Sequence, residues 1–318
     1  MTKASLADLE SAADIVYRHM APTPQIAWPL LAERAGCEVW VKHENHTPIG
    51  AFKVRGGLVY LETLRATQPC VQGVISATRG NHGQSMALAA GKVGLTATIV
   101  VPKGNNPEKN NAMRALGANL VEHGDDFQES YEYALARAGA EGLHPVRAFS
   151  ADLVRGVGTY SLEFLRAVPD LDVVYVPIGQ GSGICGMISA RDALGLKTHI
   201  VGVVAANAAT YALSYEAGEP VPTNTADTLA DGLACRTPDP AALEIISMGV
   251  ARIVTVTEDE ILAAMGHYLT DTHNLAEGAG AAPLAALLKE RDQVAGKKVG
   301  LVLSGGNVDQ ALLSRVLA

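Results

Sequence analysis

Cysteine, aromatic side chains and net positive charge are all scarce in this sequence, and each shortage removes a class of function. The four cysteines, Cys37, Cys70, Cys185 and Cys235, are scattered, with neither the paired spacing of a zinc site nor the density of a disulfide scaffold. That usage fits a reducing, cytoplasmic setting. Phe, Trp and Tyr make up only 5% of residues, too few to suggest a platform for stacking nucleic-acid bases. A formal net charge of -8 disfavours nucleic acid and an anionic membrane surface as partners. No uninterrupted apolar run is long enough to span a bilayer, and residues 1–10 lack the apolar core of a secretion signal.

Glycine is abundant instead, at 32 of 318 residues, and hydrophobic residues reach 48% against 18% charged. This is the composition of a well-buried chain with many tight turns, long enough for two lobes. A helix is expected over 5–19, capped by Ser5, with Leu9, Ala12, Ala13 and Val16 on one face. Short apolar runs at 38–42, 73–77, 97–101, 119–122, 172–177, 199–204, 252–256 and 299–303 read as strands. Helical stretches over 84–93, 108–116, 159–167, 184–194 and 258–268 alternate with them, and another, capped by Asp125 or Asp126, reaches about 140. Such alternation predicts parallel sheet. Residues 218–240, rich in Pro, Thr and Asp, read as a long loop.

Four stretches carry chemistry. In Ile49-Gly50-Ala51-Phe52-Lys53-Val54-Arg55-Gly56-Gly57 a single lysine stands between an apolar shoulder and a glycine pair. A lysine held away from water loses its proton more readily, and its free amine forms Schiff bases with carbonyl compounds. The alternative is a surface lysine at a helix start. Gly179-Gln180-Gly181-Ser182-Gly183, between a strand and a helix, lets backbone N–H groups converge on a phosphate at a helix N-terminus. A tight turn that only tolerates glycine explains it equally well, whereas the spacing does not match a dinucleotide fingerprint. Thr78-Arg79-Gly80-Asn81-His82 packs several donors into one turn, which suits a carboxylate, or a capped helix with an exposed histidine. Ser304-Gly305-Gly306-Asn307 follows the last strand and can set a hydroxyl in a cleft, or cap a helix. The last three of these stretches are loops that follow strands, at the end of a parallel sheet where open α/β folds bind ligands.

In this order the four pieces resemble the fold type II pyridoxal-phosphate enzymes, in the threonine and serine dehydratase branch with its serine racemase relatives. Thr228-Leu229-Ala230-Asp231-Gly232, Thr255-Val256-Thr257-Glu258-Asp259-Glu260 and Ala276-Glu277-Gly278-Ala279-Gly280-Ala281 resemble further family segments, so the similarity spans nearly the whole chain. The resemblance implies an α/β fold like the β subunit of tryptophan synthase, with the active site between two parallel-sheet lobes. A large cofactor-binding lobe is expected from residues 1–65 and 144–318, and a small mobile lobe from 66–143. The cofactor implied is pyridoxal 5'-phosphate, joined covalently to Lys53, which also acts as the base at the substrate Cα. Asn81 is implied to face the ring hydroxyl, Gly179, Gln180, Gly181, Ser182 and Gly183 to hold the phosphate, and Ser304 to meet the pyridine nitrogen. Glu277 is implied near the cofactor. Thr78, Arg79, Gly80, Asn81 and His82 are the substrate-binding candidates.

The activity implied is an ammonia-lyase reaction in which an L-β-hydroxy-α-amino acid of the threonine or serine type becomes a 2-oxo acid and ammonia. A cysteine synthase-like β-replacement enzyme and a non-catalytic amino-acid-binding protein are the alternatives on the same fold. The partner expected is a small amino acid, and the family implies a homodimer. Arg79 stands where these enzymes have a small residue, a serine acid–base in the racemase, and arginine does not deprotonate usefully. Poor racemase activity is therefore expected. Arg79 can instead read a larger substrate, such as phenylserine or 3-hydroxyaspartate, or face solvent. The racemase branch places a divalent-cation site after a Gly-Val pair, but Gly202-Val203-Val204-Ala205-Ala206-Asn207 lacks the carboxylates, so no metal is expected there. Neither a long C-terminal regulatory domain beyond Ala318 nor feedback control by isoleucine is expected.

Overall fold

A computed structural model of the chain describes residues 3–318, whose short apolar runs assemble into two separate sheets. The strands are Gln25–Ala27 (β1), Glu38–His43 (β2), Gly73–Ala77 (β3), Thr96–Val101 (β4), Asn119–Glu122 (β5), His144–Pro145 (β6), Val173–Pro177 (β7), His199–Ala205 (β8), Arg252–Val256 (β9) and Lys298–Leu303 (β10). The larger sheet runs β1-β2-β10-β7-β8-β9, and within it only β1 is antiparallel to its neighbour. The smaller sheet, β5-β4-β3-β6, is wholly parallel. Parallel strands covered on both faces need apolar side chains on both, which is why β3 and β10 read as continuous apolar runs.

Helices Leu6–Val16 (α1), Pro29–Ala35 (α2), Lys53–Thr67 (α3), Asn81–Lys92 (α4), Pro107–Ala115 (α5), Phe127–Glu141 (α6), Ala151–Ala167 (α7), Ser182–Ala193 (α8), Thr210–Ala217 (α9), Pro240–Gly249 (α10), Glu258–Thr272 (α11), Gly278–Lys289 (α12) and Gln310–Leu317 (α13) cover them. Ser5 caps α1, and Asp126 rather than Asp125 caps α6. The helix expected from 84 starts at Asn81, so Asn81 and His82 belong to its first turn and not to a loop. The helix expected from 159 starts at Ala151, capped by Ser150. Gly156 and Gly158 hide its first half from a periodicity reading, yet the packing demands them. A Cβ on Gly156 would lie 2.4 Å from the Arg55 carbonyl, and one on Gly158 would lie 2.5 Å from Leu9.

Helix α3 positions the site, and its glycines set how closely its neighbours approach. A Cβ on Gly57 would sit 2.2 Å from Ser85 Oγ of α4. Its apolar face (Val54, Leu58, Leu61) shares a core with Val74 of β3 and Ile99 of β4. On another face, Arg55 is wholly buried between Glu44 and Glu163, with N–O distances of 2.7 Å and 2.6 Å, and Lys42 reaches Glu163 as well. Burial alone would raise the Glu163 carboxyl, but Arg55 and Lys42 hold it below its ordinary value. The four charges cancel, which is the condition under which such a group can be buried.

Candidate active site

Lys53 is the first residue of α3, and its segment is stitched to the chain leaving β10. Gly50 takes the left-handed turn, with φ of 67°. Thr47 Oγ1 brackets Ala51, donating to its carbonyl at 2.8 Å and accepting from its amide at 2.9 Å. Ala51 pairs with Gly305 as an isolated bridge, the Phe52 amide donates to Ser304 O at 3.0 Å, and the Gly306 amide donates to Gly50 O at 2.9 Å. From α4, Ser85 Oγ donates to Lys53 O at 2.6 Å. The lysine is thereby fixed beside buried Ser304, with Nζ 5.0 Å from the centre of the Phe52 ring. Burial lowers its ammonium to about 8, against the opposing pull of the Glu277 carboxylate.

The turn after β3 brings Asn81 to Glu277. Asn81 Nδ2 donates to both carboxylate oxygens, at 2.8 and 3.1 Å. Burial pushes the Glu277 carboxyl up to about 7, although the Asn81 hydrogen bond and the Lys109 charge act the other way. The next residue, His82, is buried, and its Nε2 has no hydrogen-bond partner. Burial, with the Lys53 charge behind it, pushes the imidazole down to about 3, so it is neutral at pH 7.

The glycine loop after β7 is pressed against its surroundings. A Cβ on Gly179 would lie 2.1 Å from Gly232 O, and Gly181 has φ of 97°. Tyr211 Oη donates to Gln180 O at 3.1 Å and Tyr160 Oη to Gly183 O at 3.2 Å, holding the loop from behind. Ser182 is buried at the start of α8.

Helix capping separates the site from the rest of the molecule. Among the described residues, seven helices (α1, α5, α6, α7, α10, α11, α13) have a side chain closing their first turn. The six without one are α2, α3, α4, α8, α9 and α12. Four of these begin at the cleft, at Lys53, Asn81, Ser182 and Gly278. Their first N–H groups are left for a ligand, and the positive end of the helix dipole favours an anion.

Lys53, Asn81, His82, Gly183, Glu277 and Ser304 are thus brought to one cleft, and Gly179 reaches it through Gly232, whose own Cβ would touch Ala279 of α12. Thr78 is buried and accepts from the Gly80 amide at 3.2 Å. Arg79 lies apart. It is exposed and lines a cavity of about 230 Å³ with Lys103, Asn105, Asn106, Asp125 and Asp231, which none of the other predicted site residues borders. A larger cavity, of about 320 Å³, opens on the far side of Glu277 toward α13, and not around Lys53. Asn307 was given no role by the sequence reading. Its Nδ2 donates to Asn81 Oδ1 and to Ile49 O, both at 2.8 Å. Lys109 of α5 pairs with Asp231 at the mouth of the cleft, and this too went unread. The asparagine ending Ser-Gly-Gly-Asn and the aspartate of Thr228-Leu229-Ala230-Asp231-Gly232 were the available signals.

Residues 16–305 match the family model of the pyridoxal-phosphate dependent enzymes. The chain belongs to that family. Among curated relatives of this pyridoxal-phosphate dependent enzyme, an L-threonine ammonia-lyase of Thermotoga maritima is 36% identical over 291 residues, which is 91% of this chain and 72% of the relative. Among solved structures, a processed threonine deaminase isoform 2 of Solanum lycopersicum superposes with a TM-score of 0.91 at 29% identity, covering 99% of this chain and 94% of the other. Maize serine racemase gives 0.93 at 26% identity, covering 99% and 97%. Both sheets and their parallel strands agree with the fold type II architecture.

The residues present fit the cofactor of that family. A lysine amine with a depressed pKa suits an aldehyde. The Gly179–Gly183 loop has glycine at three of its five positions and leads into an uncapped helix, as suits a phosphate cradle built on backbone N–H groups. The unpartnered Nε2 of His82 leaves a buried polar group for a ligand to meet. Among the described residues no helix is long and apolar enough to cross a membrane.

Proposed function

We propose that this pyridoxal-phosphate dependent enzyme is an ammonia-lyase that converts an L-β-hydroxy-α-amino acid of the threonine or serine type to a 2-oxo acid and ammonia. The observation that carries the reading is the buried amine of Lys53, its pKa lowered by that burial, enclosed where four uncapped helices begin. The names of the relatives, a threonine ammonia-lyase and a threonine deaminase, support the same reaction class.

In this reading Lys53 holds the cofactor, Asn81 faces its ring hydroxyl, Ser304 its pyridine nitrogen, and Gly179, Gln180, Gly181, Ser182 and Gly183 its phosphate. When bound, the cofactor supplies an electron sink that acidifies the substrate Cα–H. A neutral serine hydroxyl at the pyridine nitrogen does not favour its protonation as an aspartate would. This tempers the sink and favours loss of the β-hydroxyl over transamination. Thr78, Gly80, Asn81 and His82 receive the substrate carboxylate at the start of α4. His82, held neutral, donates or accepts there without adding charge. The Lys53 amine, once released, takes the Cα proton, because a pKa near 8 leaves roughly a tenth of it unprotonated at pH 7, far more than an ordinary lysine has. The β-hydroxyl departs with a proton as water. A water taken up later releases ammonia, so the two products together contain all the atoms of the substrate.

The reading also holds residues 66–143 to be a small lobe that closes over substrate against 1–65 and 144–318, in a cytoplasmic homodimer. The Lys109–Asp231 ion pair and the Asn106 Nδ2–Asp309 Oδ2 hydrogen bond of 3.1 Å, both across the mouth of the cleft, support a closing contact there. The test is 2-oxo acid release from L-threonine and L-serine by holoenzyme, with L-to-D conversion measured in parallel. We expect ketone product and little D-isomer. Rapid interconversion without 2-oxo acid would overturn the assignment.

A further inference from the structure

The short segment that leaves β10 for α13 grips the starts of two helices, α4 and α5. Asn307 Nδ2 donates to Asn81 Oδ1 at 2.8 Å, in the first turn of α4. Two residues on, Asp309 Oδ2 accepts from Asn106 Nδ2 at 3.1 Å, at the start of α5. The next amide, that of Gln310, donates to Glu108 Oε1 in the first turn of α5 at 3.3 Å.

Both partners of the second contact are helix caps. Asn106 Oδ1 accepts from the Glu108 and Lys109 amides, at 2.8 and 3.3 Å, and Asp309 Oδ1 accepts from the Leu312 amide at 2.7 Å. Each side chain has one end committed to its own helix, and the two remaining ends meet, so the bond between them needs little further ordering. Asn105, one residue before the cap, is committed as well. Its Nδ2 donates to Arg79 O at 3.2 Å and to Oδ1 of the buried Asn110 at 2.6 Å. Arg79 O belongs to the turn that leads into Asn81. The hydrogen bonds therefore close a ring: from Asn307 to Asn81, along the turn to Arg79 O, across to Asn105, and back through Asn106 and Asp309.

We infer that Asn105 and Asn106 are positioning residues for the substrate carboxylate, and that they act by holding the Thr78–His82 turn in place when Asn106 docks on Asp309. The inference rests on the ammonia-lyase reading, which puts the carboxylate at that turn. Neither asparagine touches the substrate. Asn106 fixes the loop against α13, and Asn105 passes that position to the Arg79 carbonyl. With the ring open, the turn is held from the Asn81 side alone, and its donors are no longer set before the carboxylate arrives.

An exchange of the two caps tests it on holoenzyme. Asn106→Asp still caps α5 but sets a carboxylate against that of Asp309. Asp309→Asn still caps α13, and the double variant restores the bond with donor and acceptor exchanged. Binding is read by calorimetry with L-2-aminobutyrate, which has no β-hydroxyl to lose, and with 1-aminopropane, the same molecule without its carboxylate. We expect Asn106→Asp to bind aminobutyrate about tenfold more weakly, with aminopropane unchanged, and the double variant to recover most of the loss. The kcat/KM for 2-oxo acid release from L-threonine should fall and recover in parallel. Asn105→Ala should weaken aminobutyrate binding about tenfold as well, and adding Asp309→Asn should not restore it. Arg114→Ala, which removes an ion pair between α5 and Glu122 outside the ring, should leave both ligands unaffected. If Asn106→Asp does not fold, Asn106→Ser, which caps α5 but falls short of Asp309, is read in its place. Unchanged aminobutyrate binding in the Asn106 and Asn105 variants, an equal loss for aminopropane, or a double variant no better than Asn106→Asp overturns the inference and leaves the ammonia-lyase reading intact. Absence of 2-oxo acid from L-threonine and L-serine with the parent enzyme sinks that reading instead, and the two calorimetric ligands still decide the positioning role.

Discussion

Asn307 decides which way Asn81 faces. Its Nδ2 donates to Asn81 Oδ1, which leaves Asn81 Nδ2 for Glu277. An aspartate at 307 offers only oxygens, so Asn81 would have to turn and set its own oxygen against the Glu277 carboxylate. We therefore expect Asn307→Asp to weaken cofactor binding more than Asn307→Ala does, by about tenfold, when apoprotein is titrated with pyridoxal phosphate. Equal losses would mean that Asn307 only fills space. Glu277 gives a pH signature. Its folded pKa is near 7, above the ordinary carboxyl value of 4.5, so its contribution to stability is fully present below pH 4.5 and is lost as pH rises through 7. Apoprotein carrying Glu277→Gln should gain in melting temperature relative to the parent as pH is raised from 5 to 8, and a constant difference would contradict this. Single residues could be singled out where chemistry restricts the residue type, as for Lys53 and the Gly179–Gly183 glycines, which the fold brings to one cleft. Asn307 was not, because its role depends on a side chain 226 residues away.

Helix α3 shows what the packing of an element adds to that. Gly57 lets α4 approach until Ser85 Oγ bonds Lys53 O, which fixes the start of the helix and the lysine with it. A methyl at Gly57 collides with that hydroxyl, and we expect Gly57→Ala to cost about 1–3 kcal/mol in chemical denaturation. Ser85→Ala added to it should recover part of the loss, and a purely additive double variant would argue against the contact. The same close packing limits what periodicity shows. The first half of α7 is broken by Gly156 and Gly158, which are there because α3 and α1 come within contact of it. Helix α12 is buried along nearly its whole length and has no polar face to mark its period. Helices α2, α9 and α13 have no more than eight residues, so few turns repeat; α10 has ten and was missed although its Asp239 cap and Pro240 were signals, because both lie in a stretch that read as loop. Most strands were read closely because burial on both faces leaves continuous apolar runs, but β1 and β6, short edge strands of half-buried and exposed residues, leave none and were not read.

Across the whole molecule, two sheets deliver their strand-end loops to one cleft, and a buried charge network ties the pieces behind it. Arg55 of α3 joins Glu44, which follows β2, to Glu163 of α7. Removing it leaves the buried Glu44 without a cation and Glu163 with Lys42 alone, and Arg55→Ala should lose about 3–5 kcal/mol of stability, measured by denaturant unfolding of apoprotein. A loss below about 1 kcal/mol would show that water replaces the guanidinium at no great cost. The convergence of loops was legible from the order of strands and glycine turns, whereas the contact between α5 and α13 was not, since neither end carries a motif. The most direct measurement is borohydride reduction of the holoenzyme followed by peptide mapping. We expect a stable pyridoxyl adduct on Lys53 alone, absent from Lys53→Ala; an adduct on another lysine, or none after reconstitution with pyridoxal phosphate, would contradict the placement of the active site.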